Sequence, residues 1–259
     1  MDLGLDGRRA LVCASTRGLG LACAEALLSE GAIVAVNGRQ PAAVADVVAR
    51  LSEQYGARVK GITADVTTEH GREQLLNTFP DPDILVNNNA GPNPGDFLSF
   101  DQACWAAALD ANMISPLLLI RAHLPGMRAR RFGRIINVTS AMVTTPRPHM
   151  MLSSGARAGL TASLKGLSLQ VAQDNVTINN LLPERFDTDR QLQMAHIAAE
   201  RDGISFEQAR ANQIESIAAR RLGDPREFGA TCAFLCSQHA GFISGQNVHL
   251  DGGSYPALI

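Results

Sequence analysis

The sequence predicts an α/β protein whose core is a doubly wound parallel sheet of about seven strands with helices on both faces. Short apolar runs rich in β-branched residues alternate with longer helical patterns along the chain, as in stacked βαβ units. The chain has 259 residues, of which 46% are hydrophobic, and this suffices for one core of that type. No internal repeat, low-complexity tract or linker interrupts the pattern, so we expect a single domain over residues 1–259.

The first half of the chain contains four predicted strands. RRALVCA is the first strand, and after a turn it leads into the helix LGLACAEALLSEG, which Gly31 ends. AIVAVNG is the second strand, followed by the helix PAAVADVVARLSEQYG with Pro41 at its start. RVKGITADV and DILVNNNAG are the third and fourth strands.

The second half supplies three more strands, GRIINVTS, VTINNLLP and NVHLDGG. A polar, helical segment at about 184–221 follows the carboxyl end of one of them. In open α/β sheets, ligands bind beyond the carboxyl ends of the strands. We therefore expect this segment to cover a substrate.

Composition excludes several classes of function. The net charge of −2 without a basic stripe argues against nucleic acid as a partner. Five cysteines without a C-x-x-C pair predict reduced thiols and no metal site. The N-terminus MDLGLDGRRALV lacks a targeting pattern, and the longest apolar run, ISPLLLI, is too short to span a bilayer. We expect a cytoplasmic protein that acts on a small molecule and contacts no membrane.

The turn after the first strand has the composition of a phosphate-binding site. It reads CASTRGLG, residues 13 to 20, and connects a strand to a helix. Such a turn presents backbone N–H groups and a helix N-terminus to a phosphate, and glycines allow close approach. The spacing differs from a plain G-x-G-x-x-G, so the turn alone is also compatible with a purely structural role.

Further motifs follow the later strands at regular intervals. They are Ala64-Asp65-Val66, Asn87-Asn88-Asn89-Ala90-Gly91 and Asp251-Gly252-Gly253. With these motifs the chain resembles the short-chain dehydrogenase/reductase family over essentially its whole length, most closely a divergent branch described as 3-oxoacyl-[acyl-carrier-protein] reductase-like. The resemblance implies a Rossmann-type fold and a nicotinamide dinucleotide cofactor.

Three positions depart from the family pattern. Ala14 stands where the family has the first glycine of its turn motif, and Asn89-Ala90 stands where it usually has Ala-Gly. Pro183-Glu184 replaces the family's Pro-Gly, which would bring a carboxylate near the nicotinamide pocket. The resemblance implies cofactor contacts at Ser15, Arg17, Gly18, Leu19, Gly20, Arg39, Asp65, Val66, Asn88, Ala90, Pro183 and Thr188.

The end of the second strand bears on the choice of cofactor. A ribose 2′-hydroxyl needs an acidic acceptor there, whereas a 2′-phosphate needs cations. The sequence offers Val36-Asn37-Gly38-Arg39 and no carboxylate, and Arg17 lies in the phosphate turn. Two guanidinium groups suit a phosphate better than a diol. We expect NADP(H) to be preferred over NAD(H).

The resemblance also implies a catalytic centre, in which a serine and an asparagine assist a tyrosine and a lysine. Ser140, at the end of GRIINVTS, matches the serine, and Asn112, in LDANMISP, matches the asparagine. The tyrosine and lysine positions hold Ser153 and Arg157, within HMMLSSGARAGL. No tyrosine lies between Tyr55 and Tyr255, so no shift of the alignment restores the family pattern.

These replacements keep charge and a hydroxyl but lose an acid of suitable pKa. Serine is far less acidic than a phenol, and arginine stays charged, so neither replaces the tuned tyrosine. His149 and Tyr255 are two other candidate acids, though each is also compatible with a purely structural position. Ser153 could hold a water while Arg157 stabilises an alkoxide, at a loss of roughly 10²–10⁴ in rate.

The sequence thus predicts an NADP(H)-dependent oxidoreductase acting on a carbonyl or secondary alcohol, with a 3-oxoacyl thioester implied by the resemblance. Two alternatives remain. One is a dinucleotide-binding sensor or assembly protein without catalysis. The other is a lyase or isomerase on the same fold, using Glu184 or His149. Apolar, small-residue helices around 101–131 and 153–172 predict a homodimer or homotetramer.

Overall fold

Seven parallel strands form one sheet in the computed structural model, which describes residues 1–258. The strand order is β3-β2-β1-β4-β5-β6-β7, and every pairing is parallel. The strands are β1 Arg9–Val12, β2 Ile33–Gly38, β3 Val59–Thr63, β4 Ile84–Asn87, β5 Gly133–Val138, β6 Val176–Pro183 and β7 Asn247–Leu250. The doubly wound, Rossmann-type α/β fold predicted from the alternating patterns is confirmed. Chain order reverses between β1 and β4, and the carboxyl ends beside this switch point are where ligands bind in such sheets.

The segments that connect the strands are mainly helical. The helices are α1 Gly18–Ser29, α2 Pro41–Tyr55, α3 Glu69–Thr78, α4 Gln102–Leu109, α5 Ser115–Ala129, α6 Met151–Val171, α7 Asp189–Asp202, α8 Phe206–Glu215 and α9 Pro225–Cys236. A π-helical segment, Asp110–Ile114, joins α4 to α5. The segment 184–221 thus contains α7 and α8.

Each face of the sheet carries its own apolar core. Side chains from α1, α2 and α9 cover one face, where Leu27, Leu51 and Phe228 are among the buried residues. Side chains from α3, α5 and α6 cover the other face, with Leu75 and Leu164 among them. Because helices bury both faces, most strand residues are buried, and the strands read as continuous apolar runs instead of alternating ones.

Asparagines connect four neighbouring strands through their side chains, and all but the exposed Asn247 are buried. Asn87 on β4 donates to Asn137 on β5 (2.9 Å), which donates to Asn180 on β6 (3.1 Å). Asn180 in turn donates to Asn247 on β7 (2.9 Å). The members of each pair also face each other in the strand register, so the amides form a continuous ladder across the sheet. It runs from the carboxyl end of β4 to the first residue of β7.

The helical stretch from α4 to α5 is longer than the sequence suggested. Gln102–Ala129 is continuous, and by length and composition alone it could cross a membrane, which the short run ISPLLLI did not indicate. A single helix of this kind is weak evidence for a membrane span, since core helices pass the same test. Leu119, Ile120 and Met127 on this stretch pack against the sheet.

Candidate active site

A cleft of about 960 Å³ opens at the carboxyl ends of the strands. The β1–α1 turn and the loop after β2 form one end of it. The loops after β4 and β5, the start of α6, and α7 form the other end. We call the end at the β1–α1 turn the turn end, and the end at the start of α6 the α6 end.

The β1–α1 turn exposes an uncapped helix N-terminus to this cleft. Arg17 is the N-cap residue of α1, and no side chain caps the first turn, which contains no acidic residue. Gly18 has a φ of +58°, a conformation in which a side chain would be strained. At Gly20, a Cβ atom would lie 2.4 Å from the Ala14 carbonyl oxygen, so only glycine fits there. The free N–H groups at this N-terminus are suited to an anionic group.

Ala14 holds the turn in an unusual backbone conformation. Its φ is +44°, although it carries a Cβ atom. Its N–H donates to Oδ1 of Asn37 (3.2 Å), and its carbonyl accepts from Nδ2 of Asn88 (3.1 Å). These two hydrogen bonds hold a conformation that alanine alone would not choose.

Two buried polar side chains lie beneath the turn. The Ser15 hydroxyl donates to the Val12 carbonyl (2.7 Å) and accepts from the backbone N–H of Asn37 (3.0 Å). Asn37 is 1% exposed, and its amide also donates to the carbonyls of Ile62 and Ala64. Ser15 therefore supports the turn from below and does not line the cleft, while Asn37 is a positioning residue that the sequence reasoning missed.

Arg17 and Arg39, the two arginines expected at the adenosine ribose, lie at the turn end of the cleft. Arg17 is 3.9 Å from Asp189 and Arg39 is 3.8 Å from Asp65, and their side chains are 79% and 66% exposed. At such separations and exposures these ion pairs contribute little, and the guanidinium groups are free to turn toward a ligand. No carboxylate follows β2 directly.

The Asp65 carboxylate forms hydrogen bonds within its own loop. Its Oδ1 accepts from the backbone N–H and the hydroxyl of Thr67, at 2.9 and 2.7 Å. Burial works against the charged form, but these hydrogen bonds and Arg39 outweigh it and lower the pKa of Asp65. The remaining residues expected at the cofactor line the cleft, namely Leu19, Val66, Asn88, Ala90, Pro183 and Thr188.

At the α6 end, the structure brings Ser140, Ser153 and Arg157 to one wall of the cleft. Ser140 lies two residues beyond the end of β5, and its hydroxyl oxygen accepts from the Met142 N–H (3.2 Å). Ser153 and Arg157 lie one turn apart on α6, and Nε of Arg157 donates to the Ser153 hydroxyl oxygen (3.2 Å). Both hydroxyl oxygens accept a bond from the protein, so each retains its own hydrogen for donation.

Arg157 is a buried cation whose charge is neutralised by no carboxylate within residues 1–258. It is 7% exposed, and its Nη1 donates to the carbonyls of Val138 (2.7 Å) and Thr139 (2.9 Å) at the end of β5. Burial, and to a lesser degree the charge of Arg190, lowers the pKa of Arg157 to about 10. Arg157 is therefore still protonated at neutral pH.

Asn112 lies in the π-helical segment behind the cleft wall. It is 5% exposed, and its amide donates weakly to the carbonyls of Ala90 and Ala108, at 3.5 Å each. Asn89 donates in the opposite direction, to the Ala111 carbonyl (3.2 Å). π-helical turns inside helices frequently occur at functional sites. Here the segment fastens the loop after β4 to the helix that carries Asn112.

The other candidate acids and bases are less well placed. Burial and the charges of Arg201 and Arg147 lower the pKa of His149, so its imidazole is neutral at pH 7. Glu184 lines the cleft, but Arg147 donates to its carboxylate at 2.5 Å. The Tyr255 ring stacks on another side chain, that of His249, with ring centroids 4.2 Å apart, and is not among the residues that line the cleft.

Four further arginines line the cleft, and the sequence reasoning did not single them out. They are Arg147, Arg185, Arg190 and Arg201. Arg185 follows β6, and Arg190 and Arg201 lie in α7. From the sequence, this region could be described only as a polar helical segment. No motif marked these side chains, since only the folded chain brings α7 over the cleft.

The residues of the turn end fit a dinucleotide. The uncapped N-terminus of α1 is suited to a pyrophosphate, Gly18 keeps its approach free of side chains, and Arg17 and Arg39 provide positive charge beside it. A dinucleotide-binding α/β protein with a serine pair at the other end of the cleft is the class that this fold and site define.

Comparison with known proteins gives the family. The model of the family described as Enoyl-(Acyl carrier protein) reductase matches residues 13–255. The 3-oxoacyl-[acyl-carrier-protein] reductase FabG of Haemophilus influenzae is 32% identical over 251 residues, covering 97% of this chain and 99% of its own. The chain therefore belongs to the short-chain dehydrogenase/reductase family, as its motifs predicted, and to a family of oxidoreductases.

Solved structures of reductases share the fold. L-sorbose reductase from Gluconobacter frateurii, solved with NADPH and L-sorbose, is 28% identical, with a TM-score of 0.93 and full coverage of both chains. YwfH, an NADPH-dependent reductase involved in bacilysin biosynthesis, is 26% identical, with a TM-score of 0.92, covering 98% of this chain and all of its own.

Proposed function

We propose that this protein is an NADP(H)-dependent oxidoreductase that interconverts a carbonyl compound and a secondary alcohol. The observation that carries the proposal is the pair of hydroxyls, Ser140 and Ser153, on the cleft wall, with the Arg157 guanidinium bonded to one of them. A module that only binds a dinucleotide has no need for this arrangement.

NADP(H) is proposed because of the charges at the turn end. Arg17 and Arg39 are exposed and weakly paired, and no carboxylate follows β2 to accept a ribose 2′-hydroxyl. The NADPH named for L-sorbose reductase and YwfH supports the same choice. Gly18, Leu19 and the α1 N-terminus would hold the pyrophosphate. When bound, the nicotinamide would supply or accept the hydride.

The protein's own groups stabilise the charge that forms on the carbonyl oxygen. Ser140 and Ser153 each have a free O–H to donate to that oxygen. Arg157 polarises the Ser153 hydroxyl through Nε and adds a full positive charge nearby. Donors fixed in this way act on the transition state without having to reorganise, which is the larger part of such catalysis.

The proton comes from water in this proposal. Serine is too weak an acid, Arg157 stays protonated at neutral pH, and His149 is already neutral. A water bonded to Ser153 would deliver the proton while Arg157 stabilises the alkoxide. Without a tuned acid the reaction would be roughly 10²–10⁴ slower than in relatives that have one.

We further propose that the segment 184–221 covers the substrate. Met194 and Ile197 of α7 and Ala209 of α8 line the cleft, so these helices provide the apolar part of its wall. The carbonyl compounds named for the relatives, 3-oxoacyl groups and L-sorbose, indicate the reaction but not this chain's substrate. We expect the protein to work in the cytoplasm, where its free cysteines stay reduced.

The test measures hydride transfer from deuterium-labelled NADPH to ethyl acetoacetate, with mass spectrometry of the product. We expect the parent to transfer the label and Ser140→Ala to lower kcat by roughly 10²–10³. Ser163→Ala, an exposed serine on the same α6, is the matched control and should change nothing. NADPH binding and Tm are measured for all three proteins, because Ser140 also caps a turn.

A parent that binds NADPH but transfers no label to any of a panel of ketones, aldehydes, free oxo acids such as acetoacetate, and 3-oxoacyl thioesters would contradict the proposal. A dinucleotide-binding sensor or assembly protein without catalysis would then explain the results better.

A further inference from the structure

The arginines of the cleft differ in how their charges are neutralised. Seven arginines line it, Arg17, Arg39, Arg147, Arg157, Arg185, Arg190 and Arg201. Five of them lie within 4.0 Å of a carboxylate oxygen of Asp65, Glu184, Asp189 or Asp202. Among the described residues, Arg157 and Arg190 have no such partner.

Both unpaired guanidinium groups lie near the same short segment of chain, Gly91-Pro92, in the loop after β4. Arg190 on α7 donates through Nη2 to the Pro92 carbonyl (3.0 Å) and through Nη1 to Gln193 (2.8 Å). Arg157 on α6 reaches the neighbouring residue, since its Nη2 lies 3.5 Å from where a Cβ atom on Gly91 would be. The structure gives Nη2 of Arg157 no acceptor within residues 1–258.

Two neighbouring cations without an anion between them are an unusual arrangement in a folded protein. Burial lowers the pKa of both groups, and the charge of Arg190 lowers that of Arg157 further. Buried charges in proteins are normally paired, because a lone charge out of water is expensive. An anionic ligand would supply the missing partner, and planar guanidinium forks match a carboxylate well.

The pair also lies beside the proposed reaction centre. Arg157 is bonded to the carbonyls of Val138 and Thr139, and Ser140 is the next residue in the chain. The same guanidinium is bonded to Ser153. An anion held by Arg157 and Arg190 would therefore lie beside a carbonyl group held by the two serines, because Arg157 contacts Ser153 directly.

We propose that the substrate of this cleft is a short oxo acid, or the matching hydroxy acid, whose free carboxylate is bound between Arg157 and Arg190. The inference rests on the proposed function for the position of the reacting carbonyl, but the carboxylate site itself does not require turnover. Arg190 is then a specificity-determining residue that distinguishes a free acid from an ester or thioester.

The experiment compares a free acid with its ester in binding to the NADP⁺-saturated protein, where no carbonyl reduction can occur. Acetoacetate and ethyl acetoacetate are one such pair, and pyruvate and methyl pyruvate are another. We expect titration calorimetry to give at least one acid an affinity roughly 10-fold or more above that of its ester. The preference should weaken as salt is raised.

Arg190→Met should lower the affinity for that acid by roughly 10–100-fold, the range for hydrogen bonds between charged groups, and leave the ester unchanged. Arg190→Lys keeps the charge but loses the planar pair of N–H donors, so its affinity for the acid should lie between those of the parent and of Arg190→Met. Arg50→Met is the matched control, since Arg50 is an exposed arginine on α2 paired with Glu25. Because Arg190 is only partly buried, its replacement is better tolerated than that of Arg157.

Equal affinities for acid and ester in the parent, or binding of neither acid, would overturn the inference. So would an Arg190→Met protein that loses NADP⁺ affinity but keeps the acid preference, which would assign the pair to the cofactor. Failure of the proposed function looks different: the acid would bind with the expected preference while no labelled hydride reached any carbonyl.

Discussion

At the scale of single residues, Arg157 stands where the family resemblance predicts a lysine. A lysine would be a flexible point charge there, whereas Arg157 is fixed by two backbone carbonyls and by Ser153. The identity of the replacement could be read in the sequence. Its hydrogen bonds could not, because they depend on where β5 ends relative to α6.

The family's proton donor can be rebuilt at two positions. We expect Ser153→Tyr with Arg157→Lys to reduce ethyl acetoacetate with NADPH faster than the parent, by up to roughly 10²–10⁴. The gain comes from a phenol whose pKa a nearby lysine lowers, so each single variant should achieve less. Initial rates of NADPH oxidation measure the effect.

Two results would count against this inherited geometry. One is a folded double variant that binds NADPH but shows no gain on any carbonyl. The other is a loss of stability beyond the roughly 1–3 kcal/mol of overpacking, because Ser153 is only 3% exposed and the ring must enter the cleft.

Ala14 offers a separate prediction about backbone strain. Its φ of +44° costs an L-residue roughly 1–2 kcal/mol, while glycine adds roughly 0.4–1 kcal/mol of unfolded-state entropy to the cost of folding. We therefore expect Ala14→Gly to leave the free energy of unfolding unchanged or raise it by up to about 1.5 kcal/mol. Urea denaturation followed by circular dichroism measures it.

The control for Ala14 is Ala45→Gly, at an exposed position in α2. There the helical backbone is relaxed, so glycine should destabilise by roughly 0.5–1 kcal/mol. Equal destabilisation by both substitutions would show that Ala14 is not strained.

At the scale of elements, the β1–α1 turn and the end of β2 act as one unit. Asn37 on β2 holds Ala14 of the turn through its side chain, and Asn88 after β4 holds it from the other side. The sequence indicated the turn and its arginines, because their spacing is local. The sequence did not indicate the role of Asn37. Nothing near a polar residue in a strand shows which residue of a distant segment its side chain will contact.

The cofactor preference belongs to this unit. If Arg17 and Arg39 bind a 2′-phosphate, NADPH should raise Tm more than NADH at equal concentration, by ligand linkage. Replacing both arginines by glutamine should abolish the difference, since both side chains are exposed and their loss should not disturb the fold. Differential scanning fluorimetry makes the comparison. Equal shifts in the parent would disprove the preference.

The asparagine ladder from Asn87 to Asn247 is an element-scale feature of the same kind. Each asparagine is visible in the sequence, but the ladder requires the register of four strands. The three amide–amide hydrogen bonds favour that register, since a shift by one residue would break them. The ladder therefore depends on which strands are neighbours and on their register, and the identity of the four residues alone does not predict it.

At the scale of the whole molecule, apolar surface remains uncovered on the helices. In the stretch Gln102–Ala129, 28% of the most apolar window is buried, and Leu109 and Ile114 on this stretch are exposed. Leu169 on α6 is 73% exposed. Exposed apolar patches of this kind mark contacts with other proteins, and a closed two-fold assembly would cover them.

We predict a homodimer or homotetramer that buries these helices. Multi-angle light scattering should show more than one chain per particle at micromolar concentration. Leu109→Glu with Leu169→Glu should shift the protein toward smaller particles, because each charge would lie in the apolar contact. Leu98→Glu is the control, because Leu98 is an exposed leucine outside both helices. A monomeric parent would refute the prediction.

The sequence by itself determined the fold class and the family, and it predicted that Ser153 and Arg157 stand at the tyrosine and lysine positions of the family. These follow from local patterns: hydrophobic runs, turn glycines and motif spacing are set by residues close together in the chain. Only the tertiary structure decided the rest. Arg190 comes near Arg157 because α7 lines the same cleft as α6. Glu184 is paired because the loop after β5 supplies Arg147, and Ser15 accepts a hydrogen bond because β2 supplies the Asn37 N–H. Charge pairing and burial depend on distances between remote residues, and those distances exist only once the sheet has formed.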